Sequence, residues 1–138
     1  MPQTSLFEYQ TVIRLADTDA AGVLFFASQF RLVHEALEAL LESRGLPVRS
    51  LLGERGFRLA IVHAATSYTM PLTVGDAVTI RLQAERGGNA SLTIRHWIVK
   101  NPDRPAGNGE TVHVSIDPAG KKIPLPVELN VLFTGNGG

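Results

Sequence analysis

The sequence predicts an α+β fold, a curled five-stranded antiparallel sheet wrapped around one long helix. Three observations carry that expectation. Apolar side chains recur every three or four residues at Phe26, Phe30, Val33, Leu37, Leu40 and Leu41, the stripe of one amphipathic helix. Elsewhere the dominant period is two, as in strands. After Gly56 the strand-like segments are joined mostly by turns, so they are expected to pair as an antiparallel meander of four. A helix and a sheet with one apolar face each bury both by packing together.

The first strand is read from Phe7, Tyr9, Thr11, Ile13 and Leu15, which alternate with Glu8, Gln10, Val12 and Arg14. Residues 16–22, small or acidic, read as a loop. Ser28 is placed as the helix N-cap. Arg31 faces Glu35 one turn on, with Glu38 and Glu42 on the same polar side. Gly45 and Pro47 stop the helix, and residues 48–54 are expected to add one or two turns. Segment 58–70 is the second strand, and Val78, Ile80, Leu82 and Ala84 mark the third. Gly87-Gly88-Asn89 supplies a hairpin turn into a fourth strand with Leu92, Ile94, His96 and Ile98 on one side. Residues 101–109 hold two prolines and two glycines and read as a loop. A last strand carries Val112, Val114 and Ile116, and Asp117-Pro118-Ala119-Gly120 ends it. Residues 1–138 read as one domain, with 134–138 expected to fray.

Composition narrows the function. Hydrophobic residues make up 44% and charged residues 19%, a globular balance. Thirteen basic residues offset thirteen acidic ones, which disfavours a nucleic-acid or membrane-surface role that needs surplus positive charge. Cysteine is absent, so disulfides, thiolate metal sites and a cysteine nucleophile are excluded. The apolar run 20–27 is far too short to span a bilayer, and residues 1–5 lack the pattern of a signal peptide. A cytoplasmic setting is expected.

The sharpest local feature is Asp17-Thr18-Asp19-Ala20-Ala21-Gly22, two carboxylates in a loop just before the helix. Three readings stay open on the residues alone. One is a turn with Asx caps and solvated charges. Another is a magnesium site of the D-x-D type, disfavoured because no alternating α/β pattern follows. The third is a carboxylate nucleophile or general base beside a helix N-terminus, whose unpaired N–H groups would polarise a carbonyl oxygen. That arrangement fits hydrolysis of an acyl derivative. Of the four histidines, His34 borders the apolar stripe, His63 lies mid-strand, His96 falls on an apolar face and His113 alternates with valines. Their spacing fits no metal site. Arg86 and the Lys121-Lys122 pair are the better candidates for contacting a phosphorylated ligand.

The stretch from Arg14 through Asp17-Thr18-Asp19-Ala20-Ala21-Gly22-Val23, followed by an aromatic pair and a long helix with His34-Glu35, resembles the hotdog-fold thioesterases of the 4-hydroxybenzoyl-CoA thioesterase type. Within that group, Leu59-Ala60-Ile61-Val62-His63-Ala64 and Lys121-Lys122-Ile123-Pro124 are most similar to the hydrolases of 1,4-dihydroxy-2-naphthoyl-CoA in quinone synthesis. The resemblance implies a thioesterase acting on an aromatic acyl-CoA, with no metal or cofactor beyond the coenzyme A of its substrate. It makes Asp19 the catalytic carboxylate, gives Asp17 the shaping of the loop, and puts the polarising N–H at Phe26. The family often has Tyr where Phe26 stands and Asn at Ser28; the backbone donor survives those changes, and a tyrosine hydroxyl there is lost. Phe25, Phe26 and Phe30 would line the acyl pocket. Self-association as a dimer or a dimer of dimers follows, with His63, Ala64 and Ala65 closing a neighbour's site, and Arg86, Lys121 and Lys122 near the CoA phosphates. Alternatives are a short-chain or 4-hydroxybenzoyl-type thioesterase, a hotdog dehydratase using His34 or His63, and a non-catalytic acyl-CoA-binding protein.

Overall fold

The computed structural model describes residues 7–52 and 55–133. Strand β1 (Phe7–Val12) leads through a 3-10 turn (Leu15–Asp17) to helix α1 (Phe26–Ser43). A second 3-10 turn (Val48–Leu51) precedes β2 (Arg58–Tyr68), β3 (Ala77–Arg86), β4 (Ser91–Lys100) and β5 (Arg104–Ile116). A last 3-10 segment, Val127–Leu132, closes the described chain. The expected frayed tail, 134–138, lies outside the described residues, as does the continuation of the 48–54 segment beyond Leu52.

Helix α1 buries Leu32, Val33, Ala36, Leu40 and Leu41 completely; of the expected stripe Val33, Leu40 and Leu41 are in the core, Phe30 and Leu37 are part-covered and Phe26 is half exposed, so the buried face is turned towards Leu32 and Ala36. Its end is built by Gly45 at φ 75°, whose N–H donates to Glu42 O, while the Leu46 N–H donates to Leu41 O. That is a Schellman closure: glycine takes the left-handed position, and the buried Leu46 packs over the last turn. Ile80, Leu82, Leu92, Ile94 and Ile98 supply the sheet's side of the core.

All five strands pair antiparallel in the order β1-β3-β4-β5-β2. The meander therefore has three strands, β3-β4-β5, and not four: β2 lies outside β5 as an edge strand. Period-two patterning reports which face a residue occupies; it carries no information on lateral strand order.

Three further expectations are corrected. The first strand stops at Val12, and Leu15 stands 77% exposed on the 3-10 turn, so the alternation outruns the pairing. Residues 104–109 are strand; only 101–103 turn. On β5 the buried side is Thr111, His113 and Ser115, while Val112, Val114 and Ile116 face outward and are half-covered. The Thr111 hydroxyl and His113 Nε2 lie 2.9 Å apart, so these polar groups satisfy each other under the helix.

The glycines of β5 explain why that strand is disguised as a loop. Gly107 pairs with Ile98 and Tyr68, and Gly109 with His96 and Thr66. A Cβ on Gly109 would stand 2.1 Å from Ala65 O and 2.8 Å from His96 Cε1; one on Gly107 would stand 2.9 Å from Ser67 O. The neighbouring backbone crowds both positions, and only glycine admits the approach.

Candidate active site

The Asp17–Gly22 motif folds as a small hairpin. Thr18 bridges Leu24, the Asp19 N–H donates to Val23 O, and Gly22 turns the chain at φ 79°. Asp19 Oδ1 accepts the N–H groups of Ala21 (2.9 Å) and Val23 (3.3 Å), which fixes the carboxylate. Its Oδ2 has no protein partner among the described residues, and the residue is exposed.

Asp17, two residues earlier, is different. It is buried, accepts the Arg14 N–H at 2.9 Å, and takes two bonds from Arg31, at 3.0 Å from Nε and 2.5 Å from Nη2. Arg31 also holds Glu35 at 3.0 Å, and Glu35 receives the Tyr9 hydroxyl at 2.5 Å. The helical Arg31–Glu35 pair expected from spacing is present; its extension to Asp17 and Tyr9 was not legible locally. That chain of bonds ties β1, the hairpin and α1 together.

Phe25, not Ser28, occupies the N-cap position of α1, and it offers no side-chain cap. Ser28 lies inside the first turn, its N–H bonded to Phe25 O. Among the described residues nothing accepts from the Phe26 or Ala27 N–H groups. The helix therefore starts with free donors and the positive end of its dipole.

Asp19 and Phe26 share one cleft of about 520 Å³, walled by Phe25, Tyr68, Met70 and Pro71. The Phe26 ring packs edge-on against Tyr68 (centroids 6.2 Å) and Phe30 (6.0 Å). Phe30 supports the wall from behind and does not line the cleft, contrary to expectation. Tyr68 and Met70, at the end of β2 and just beyond, were missed, because strand position alone does not show that they meet the helix start. Burial, reinforced by the Asp19 charge and opposed by the Gln29 amide, raises the Tyr68 phenol above its usual pKa.

No histidine lines this cleft. His63 points to the convex face of the sheet, 3.4 Å from Glu110, and Ala64 lies exposed on β2. His34 is exposed and His113 lies within reach of its charge. His96 is wholly buried, with Nε2 3.0 Å from the Thr66 hydroxyl. Burial holds His96 and His113 neutral, each lowered to about 4. Among the described residues no three His, Asp or Glu side chains converge as a metal site.

The basic candidates lie elsewhere. Arg86 bonds Asn130 and stacks 4.8 Å over the Phe133 ring, so it is engaged with the last 3-10 segment. Lys122 borders a separate cavity of about 330 Å³ beside Gly88, Asn89 and Ser91, and Lys121 is exposed on the adjoining turn. The Asp19 hairpin adjoins Thr73, just before β3, whereas Arg86 ends that strand, roughly 30 Å away at 3.3 Å per residue. Within one chain Arg86, Lys121 and Lys122 do not converge on the Asp19 cleft.

The family model described as the thioesterase-like superfamily matches residues 13–131. The chain is 36% identical over 125 residues to a 1,4-dihydroxy-2-naphthoyl-CoA hydrolase of Synechococcus elongatus, covering 89% of this chain and 91% of the relative. It is 38% identical over 117 residues to the enzyme of that name from Picosynechococcus, covering 81% and 80%. The crystal structure of a 1,4-dihydroxy-2-naphthoyl-CoA thioesterase from Synechocystis superposes with a TM-score of 0.87 at 29% identity, over 94% of this chain and 96% of that one. The long helix, the curled five-stranded sheet and a match over most of the chain place this protein in the thioesterase-like superfamily, with the hotdog fold.

Proposed function

We propose that the protein is an acyl-CoA thioesterase that hydrolyses 1,4-dihydroxy-2-naphthoyl-CoA to the free acid and coenzyme A. The observation that carries this reading is a free carboxylate oxygen on Asp19 and an uncapped helix start at Phe26, facing one aromatic-walled cleft. The names of its relatives supply the acyl group. Phe25, Phe26 and Tyr68 offer flat apolar surface to a fused aromatic acid.

The thioester carbonyl oxygen would sit against the Phe26 N–H, where the helix dipole and the free donor stabilise the charge that develops on it. Asp19 Oδ2 then acts on the carbonyl carbon, as a nucleophile or by taking a proton from the attacking water. The C–S bond breaks, the sulfur leaves as coenzyme A thiol, and water supplies the oxygen of the product acid. Water is the only co-reactant, and the reading includes no metal or cofactor.

The same reading includes a homodimer formed along β2, paired into a dimer of dimers. Among the described residues β2 pairs as a strand with β5 alone; apart from the bridge between Arg58 and Leu52 its other edge is open, with Ile61 and Val62 44% and 62% exposed. A long apolar edge is a template for another copy of the strand. Pairing there would bring His63, Ala64 and Ala65 against a second protomer. It is also how Arg86, Lys121 and Lys122 would come to serve a neighbour's CoA, since they are remote from the cleft of their own chain. No described helix is long and apolar enough to cross a membrane, and the reading includes a cytoplasmic setting. A thiol-release assay over aliphatic, benzoyl and 1,4-dihydroxy-2-naphthoyl esters tests the substrate. Preference for the naphthoyl ester supports the reading, and preference for aliphatic esters sinks it.

A further inference from the structure

The peptide unit immediately before the proposed oxyanion donor is held at both ends. Leu24 O accepts the Tyr68 hydroxyl at 2.7 Å, and the Phe25 N–H donates to Asp17 O at 2.8 Å. A trans peptide is planar, so two bonds on its opposite edges fix the orientation of that plane. The next peptide begins the helix: its carbonyl, Phe25 O, accepts the Ser28 N–H, and its N–H is the free donor of Phe26. With the Leu24–Phe25 plane clamped, the direction of the Phe26 N–H is set before any ligand arrives.

We infer that Tyr68 is a positioning residue, whose hydroxyl anchors the Leu24 carbonyl and so aims the Phe26 N–H at the thioester oxygen. The inference rests on the thioesterase reading of this cleft. Tyr68 reaches Leu24 from the last residue of β2, where the strand pairs with Gly107 of β5. The phenol is protonated at working pH, as burial and the nearby Asp19 charge both demand, and so remains a donor. Its ring has a separate task, walling the cleft against Phe26. Hydroxyl and ring are separable by substitution: Tyr68→Phe removes the anchor and keeps the wall, whereas Tyr68→Leu removes both.

The test is steady-state kinetics of the full-length chain on the most rapidly hydrolysed member of an aromatic acyl-CoA panel, with melting temperature measured for each variant. Tyr68→Phe is expected to lower kcat on the order of tenfold with KM within about twofold, since misaimed donors act on the transition state more than on binding. Tyr68→Leu is expected to raise KM as well. A Tyr68→Phe enzyme with unchanged kcat, or one whose only change is a higher KM or a lower melting temperature, overturns the proposal. Asp19→Asn runs beside them. If it is inactive while Tyr68→Phe is unimpaired, the site stands and the role of Tyr68 falls. If Asp19→Asn retains full activity, the reading of the cleft falls and takes the Tyr68 proposal with it.

Discussion

Arg31 reaches back from the second turn of α1 to grip Asp17, with Nε and Nη2 both on Oδ1. The carboxylate is almost fully buried and the guanidinium about half exposed. Water beside Arg31 weakens the pair well below the roughly 3–5 kcal/mol that breaking a fully buried one costs. Arg31→Ala is therefore expected to destabilise the fold by about 1–2 kcal/mol, and Arg31→Lys by less, because the charge survives without the fork. Denaturant midpoints measure this; an unchanged midpoint for Arg31→Ala would show that solvent already replaces the pair.

Two neutral histidines make stability depend on pH. His96 and His113 sit at about 4 in the folded chain against 6.5 as the ordinary value, because burial disfavours their charged forms. The unfolded chain thus binds more protons between those values, and stability falls as pH drops from about 6.5 towards 4. At the lower end the loss is on the order of 3 kcal/mol for each histidine. Unfolding midpoints at pH 7 and pH 5 should differ accordingly, and His96→Asn should flatten the dependence. A flat profile in the wild-type chain would show that neither ring is held neutral.

Gly109→Ala should be among the most damaging single changes in the sheet. Its Cβ would meet backbone, Ala65 O at 2.1 Å, where no side-chain rotation gives relief. A loss of about 3 kcal/mol or more is expected, read as poor soluble yield and a lowered melting temperature. A melting temperature near wild type would mean that β2 can move away from β5.

The β2 edge offers a clean test of self-association. Val62 is 62% exposed at the irregularity between Ile61 and His63. Val62→Lys puts a charge on the free edge and should shift the chain towards monomer in light scattering. A wild-type protein already monomeric at micromolar concentration would contradict pairing there.

Much of this molecule is legible locally, and the failures have physical causes. Val33, Leu40 and Leu41 on the helix, the hairpin at Gly87-Gly88 and the hydrophobic rows of β3 and β4 are set by neighbours in sequence, so periodicity finds them. Strand order is set by long-range edge pairing, and β2 beside β5 leaves no local trace. Gly107 and Gly109 signal a loop by composition, yet they are strand because two chain segments crowd them. In the candidate site, Asp19 and Phe26 are marked by a motif beside a helix start, whereas Tyr68 comes from 44 residues beyond Leu24, the atom it bonds. Nothing near Tyr68 in the sequence records that contact.

Asp19 is expected to carry out thioester hydrolysis in this cleft. The most direct measurement is thiol release from 1,4-dihydroxy-2-naphthoyl-CoA by the wild-type chain and by Asp19→Asn, with folding checked by circular dichroism. Ready turnover is expected from the first and a fall on the order of 10³-fold or more from the second at unchanged fold, with Asp17→Asn losing less activity and more stability. Equal turnover by wild type and Asp19→Asn, or a larger loss of activity from Asp17→Asn, would contradict that role for Asp19.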